Sequence, residues 1–238
     1  MEPSRQAGAV SASTNESGFD RGAAVTRSLL GYGMVAGPFY LVIGVIQGFV
    51  REGFDFARHP LSVLVNGPVG WVQTLNFVLS GLMVIAAAVG FARMPAPRLR
   101  AVSWFLGGFG LSMIIAAVFP ADPMDGFPVG TPVGPPTSIS TTGLMHFVAG
   151  TLGFVSLAIS ALVAVRAMSR RKMPSLARFS LFAGLGVLIG FFGGFVPGIS
   201  VGTLGIWFAV VIGWVWLAVL SRHLYRVAPD PNCAPQAR

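Results

Sequence analysis

"LLGYGMVAGPFYLVIGVIQGFV", residues 29–50, runs its whole length without a charged side chain. About 20 residues of helix cross a ~30 Å hydrocarbon core. Lipid offers no partner to backbone N–H and C=O groups, so a lipid-exposed stretch of this length must bond within itself, as a helix does. Five further windows have the same character: 71–92, 102–119, 144–165, 179–196 and 201–220. All are too long for barrel strands, which need only ~9–11 residues. The 238-residue chain is 54% hydrophobic and 10% charged, with a mean hydropathy of +0.74. Soluble domains carry about 25% charged residues, so this chain lacks the charge to face water. The expectation is an all-α polytopic membrane protein, a compact bundle of six transmembrane helices over residues 29–220. A disordered cytoplasmic tail, 1–28, precedes it, and a second cytoplasmic tail, 221–238, follows.

The net charge of +8 and pI near 11.2 would suggest nucleic acid in a soluble protein. The placement of the charge points elsewhere. Of the sixteen Lys and Arg, only Arg51 and Arg58 lie in the connection between the first two windows. The rest flank the bundle at residues 5–27, 93–100, 166–178 and 222–238. Basic residues stay on the cytoplasmic side, which predicts cytoplasmic termini and extracytoplasmic connections at 51–70, 120–143 and 197–200. The expected partners are therefore membrane lipids, whose anionic headgroups meet these cations. No nucleic acid is expected, and protein partners are not specified. The single cysteine, Cys233, precludes an intrachain disulfide. Residues 1–28 lack the charge and apolar pattern of a cleaved leader, so the first window is expected to act as the insertion signal.

No Asp, Glu, Lys or Arg lies inside any window. Ion-coupled carriers usually place ionisable groups near mid-membrane, so that class is disfavoured. Uncharged polar groups gather in the outer halves: Gln47, then Gln73, Asn76 and Ser80, then His146 and Thr151. Gln73, Asn76 and Ser80 are three and four apart and share one helix face. Buried amides need partners, which a neighbouring helix, an outward-open pocket or a ligand would each supply. Glycines at 33, 37, 44 and 48, and at 186, 190 and 194, mark flat faces where another backbone can approach closely.

The first outer connection, "REGFDFARHPLSVLVNGPVGW" (51–71), is unusually apolar for a loop. Pro60 suits the start of a short helix, so "HPLSVLV" is expected as a short helix at the membrane surface or a re-entrant turn, and Asp55, Arg58 and His59 lie close in sequence. The second, "FPADPMDGFPVGTPVGPP" (119–136), is stiffened by proline. It is longer than two helices need, which is the mark of a lid or binding loop. Asp122 and Asp125 follow the third window and His146 opens the fourth. Together Asp55, Arg58, His59, Ser62, Gln73, Asn76, Asp122, Asp125 and His146 form the candidate outer-face polar site. Two histidines with carboxylates can bind a divalent metal and activate water, with His59, Asp122 and His146 the candidate ligands. No His-x-x-x-His or cysteine pair supplies metal spacing, so no cofactor is expected. Asp–His or Asp–Arg pairs that hold the loops are the simpler use of the same residues.

"FDFARHPLSVLVNGPVGWVQTLNFVLSG", "FPADPMDGFPVGTP" and "GLMHFVAG", in that order, resemble the blocks of a six-span integral membrane family. It is domain of unknown function 998, frequent in actinobacteria, and the similarity runs from about Leu29 to Leu220. The resemblance implies a six-helix protein of the bacterial cytoplasmic (inner) membrane and implies no reaction. Asp55, Arg58, His59, Ser62, Asn76, Asp122 and His146 occupy its motif positions. The chain lacks the paired histidines on a late span found in membrane hydrolases of the ceramidase and progestin-receptor kind. Three functional classes follow. The favoured one binds or transports a lipidic or neutral small molecule through an outward-facing polar pocket. The others are a metal-dependent hydrolase using His59, Asp122 and His146, and an accessory protein that docks a partner through its outer loops.

Overall fold

Each apolar window coincides with a helix over its described residues in the computed structural model of the chain, which describes residues 19–95, 97, 99–134, 136, 138–193 and 202–232. The helices are α1 (Arg21–Val50), α2 (Gly70–Arg93), α3 (Arg100–Val118), α4 (Thr141–Arg170), α5 (Pro174–Gly193) and α6 (Gly202–Val227). All six are long and apolar enough to cross a membrane. The expected 197–200 connection, Gly194, Cys233 and residues 1–18 of the expected tail lie outside the described residues.

Several helices reach beyond their apolar windows, and at α1 and α6 a cap and tertiary contacts account for the extension. Asp20 Oδ1 accepts the Ala23 N–H at 3.0 Å, an N-cap that starts α1 at Arg21 rather than at residue 29. Residues 21–28 are thus helical and held. Arg93 donates to Thr26 Oγ1 (2.9 Å), Arg27 to the Ala228 carbonyl (3.0 Å), and the Asp20 N–H to the Pro231 carbonyl (2.8 Å). The same contacts secure α6 as far as Val227.

Consecutive helices pack against each other and α6 closes on α1, so the six form a ring in chain order. At one end Arg171 donates to the carbonyls of Pro95 and Pro97 at 2.8 and 2.7 Å, joining the two short basic connections. We call this the basic end. At the other, the loop end, Thr203 Oγ1 donates to the Arg58 carbonyl at 3.0 Å, bringing the start of α6 to the first long connection.

Small residues bring the helices close. A Cβ at Gly37 would lie 2.8 Å from the Cβ of Trp214, whose ring fills the middle of the bundle against Tyr40 and Phe109, with centroids 5.5 and 5.6 Å away. Along the same face of α1, Gly33 receives Ser221, Gly44 receives Leu61 and Gly48 receives Phe56. Gly81 of α2 and Gly110 of α3 meet so closely that a Cβ on either would sit 2.7 Å from the other's carbonyl oxygen. Between helices in lipid the apolar driving force is weak, so such van der Waals fit and interhelical hydrogen bonds supply the cohesion. One such bond runs from Trp216 Nε1 to Ser180 Oγ at 3.0 Å, both side chains buried. The outside remains apolar and exposed, as at Phe49, Trp104 and Ile189, which suits lipid tails.

Candidate functional site

The first long connection folds back into the ring. After Pro60 a short 3-10 turn, Leu61–Val65, buries Leu61, Val63 and Leu64. Leu61 rests on Gly44, six residues before the end of α1 and so roughly 9 Å below it. The segment expected as a surface helix or a re-entrant turn is therefore a plug. Arg51 holds it by donating to the carbonyls of Leu64 and Asn66, with its guanidinium 4.8 Å over the Phe127 ring. Burial lowers the Arg51 pKa from its ordinary value.

The second connection is bound to the first. The Asp125 carbonyl accepts from Arg58 Nη2 at 2.6 Å and from His59 Nε2 at 3.1 Å. Its carboxylate lies 3.5 Å from Arg58 Nε, with that of Asp55 at 3.7 Å. Asp125 also exchanges bonds with Gly134, donating its N–H to the Gly134 carbonyl at 2.9 Å and accepting the Gly134 N–H on Oδ1 at 3.1 Å. His59 is fully buried between Phe54 and Phe127, and its Nδ1 accepts the Asp55 N–H at 2.9 Å. Both ring nitrogens are therefore engaged, in the neutral Nε2–H tautomer. Asp55, Arg58, His59 and Asp125 come together as a clamp between loops, which makes the proline-rich segment a fixed cap over the ring.

Asp122 does different work. Its carboxylate accepts the Ser140 N–H at 3.0 Å and the Ser140 hydroxyl at 2.5 Å, while Ser140 Oγ accepts the Gly143 N–H at 2.9 Å. A carboxylate at this helix N-terminus is favoured by the exposed N–H groups and the helix dipole. Gly143 has no room for a Cβ, which would overlap Asp122. One turn further, His146 Nδ1 lies 2.8 Å from the Phe119 carbonyl and 3.1 Å from that of Ala116. Carbonyls only accept, so Nδ1 carries the proton, and Nε2 keeps its lone pair on the opposite ring edge.

Gln73 and Asn76 turn away from these groups. Gln73 Oε1 accepts from Gln47 Nε2 (2.8 Å) and Asn76 Nδ2 (3.1 Å), and Asn76 Nδ2 also reaches the Tyr40 carbonyl at 3.0 Å. The polar face of α2 thus bonds to α1. Gln47 Oε1 and Gln73 Nε2 remain buried without partners; exchanging either amide's ends would set like atoms against each other.

A cavity of about 470 Å³ opens at the loop end between α3, α4 and α6, within the ~300–1,000 Å³ range of small-molecule sites. Of the expected site residues, Ser62, Asp122 and His146 line it; Asp55, Arg58, His59, Gln73, Asn76 and Asp125 do not. The remaining wall is mainly apolar, with Phe109 and Met113 from α3, Phe154 and Leu157 from α4, and Trp207 and Trp214 from α6. Nothing in the sequence singled these out, because inward and lipid-facing apolar residues look alike in a membrane helix. Among the described residues no group of three or more His, Cys, Asp or Glu is placed to hold a metal. Of the three candidate ligands, His59 has both ring nitrogens in the loop clamp, Asp122 caps α4 and His146 Nδ1 meets two carbonyls.

A ring of six apolar spans, plugged and capped at one end over an internal cavity, defines a multi-pass integral membrane protein. The chain belongs to the family described as protein of unknown function (DUF998), which it matches over residues 34–223. That range takes in the loop clamp, the α4 cap and every described residue that lines the cavity. No curated protein and no solved structure matches the chain.

Proposed function

We propose that this protein binds a lipidic or neutral small molecule in the cavity between α3, α4 and α6, and that it holds or moves that molecule at the loop end. The observation that carries the reading is the polarity gradient of the cavity. Ser62, Asp122 and His146 stand near the loops, while Phe109, Leu157 and Trp214 form the deeper wall. From Gly143 to Leu157 the α4 side of that wall spans ~21 Å, the shape of an amphiphile's site. We place the protein in a bacterial cytoplasmic membrane with both termini cytoplasmic and the long loops outside. Supporting this, the two cations at the loop end, Arg51 and Arg58, have local structural partners. At the other end Arg27, Arg93 and Arg171 are held locally as well, and the larger number of basic residues there is what would meet lipid headgroups.

Gly150 gives a direct test, since it lines the cavity and a Cβ there would meet no atom within 4 Å. Gly150→Leu should fill the cavity without disturbing the bundle. Mass spectrometry of gently extracted protein should find an enriched lipid in the wild type and its loss in this variant, at an unchanged or higher melting temperature. The same lipid content in both would overturn the proposal. Orientation is read separately by impermeant thiol labelling of Val133→Cys, an exposed position in the cap, in a chain carrying Cys233→Ser. Labelling of intact cells supports loops outside; labelling only after lysis reverses the assignment.

A further inference from the structure

The hydrogen-bond inventory of the cavity specifies the end of the ligand, and this inference rests on the cavity being a binding site. His146 Nδ1 is committed as a donor to Phe119 and Ala116, so the ring can offer the cavity only the Nε2 lone pair. Asp122 has taken two hydrogen bonds from Ser140. Two carboxylate oxygens provide about four lone-pair sites, so acceptor capacity remains. Both groups therefore seek donors.

Two of the hydroxyls on the same walls are spent. The Ser112 hydroxyl donates to the Phe109 carbonyl at 2.7 Å, and that of Thr203 to the Arg58 carbonyl at 3.0 Å. The Tyr40 ring packs between Phe77 and Trp214, with centroids 5.6 and 5.5 Å away. The indole N–H of Trp207 is buried in the wall without a hydrogen-bond partner, where the ring packs on Phe56 at 5.7 Å. The hydroxyls of Ser62 and Tyr40 can turn to donate or accept. Among the described lining residues there is no Lys or Arg. A carboxylate or phosphate entering here would meet the charge of Asp122 with no cation to offset it.

We infer that the ligand is an amphiphile whose polar end is a hydrogen-bond donor, a hydroxyl or an ammonium group, and that anionic lipids are rejected. A cavity of about 470 Å³ is the size of a drug-like molecule's site, which favours one chain over a two-chain phospholipid. A ligand hydroxyl would donate to His146 Nε2; an ammonium would also answer the Asp122 carboxylate.

The test uses the full chain in non-ionic micelles with three probes of equal chain length: dodecanol, dodecylamine and dodecanoate. A ligand that binds only the folded state raises the melting temperature, so each is titrated at matched mole fraction. Alcohol or amine should stabilise the protein, while carboxylate should need at least about tenfold more for the same shift. A larger shift with amine would assign the dominant contact to Asp122, and a larger shift with alcohol to His146; both support the inference. Asp122→Asn should narrow the gap between carboxylate and alcohol, since Asn keeps an acceptor for Ser140 and loses the charge. Should that variant not fold, the wild-type series decides alone. Equal shifts with all three probes would overturn the donor requirement and leave the cavity reading intact. No shift with any, together with identical lipid content in wild type and Gly150→Leu, would remove both.

Discussion

His59 Nε2 donates to the main-chain carbonyl of Asp125 over 3.1 Å, linking residues 66 positions apart. The other ring nitrogen receives the Asp55 N–H, so one buried imidazole ties its own loop together and fastens the next loop to it. A histidine beside two aspartates reads as chemistry in the sequence; in three dimensions it is a two-ended connector, with neither lone pair nor proton left for a substrate.

His59→Ala should therefore lower stability by about 2–4 kcal/mol, through unpaired buried polar groups and the space left behind. Arg58→Ala should cost under ~1 kcal/mol, because its side chain is 43% exposed in both ion pairs. Thermal unfolding in micelles compares the two, and a smaller loss at His59 than at Arg58 would contradict the clamp.

Two glycines on α1 should respond in opposite ways to alanine. Gly37→Ala presses on Trp214 and should cost about 1–3 kcal/mol. Gly31→Ala meets nothing within 4 Å and should be neutral or stabilise by up to ~1 kcal/mol. Melting temperatures of the pair separate close packing from helix propensity.

The Trp216–Ser180 bond is open to a double-mutant cycle. Ser180→Ala leaves a buried indole N–H unpaired and should cost ~1–3 kcal/mol, while adding Trp216→Phe should cost less than the sum of the single changes. Additive losses would mean that the bond contributes nothing beyond packing.

Asn76 lies outside the cavity, so Asn76→Leu should lower stability by about 0.6–2 kcal/mol, the range for interhelical polar contacts in membranes. Lipid content should stay at the wild-type level. Loss of the co-purified lipid in this variant would return the α2 polar face to the binding site.

The sequence by itself determined the class of fold. Uncharged windows of membrane-spanning length leave the backbone one way to satisfy itself, and that constraint is local, so the six helices were legible without any contact. Glycine spacing on α1 likewise announced a packing face, since a missing Cβ is visible in sequence. What only the tertiary structure decided is which partner each polar group finds. Asp122 and His146 reach the cavity, whereas His59, Asp125, Gln73 and Asn76 spend their hydrogen bonds on loops and a neighbouring helix. The same is true of the apolar lining: Trp207, Phe154 and Met113 differ from lipid-facing neighbours only in direction. Direction follows from the closing of the ring, a property of all six helices together that no single window carries.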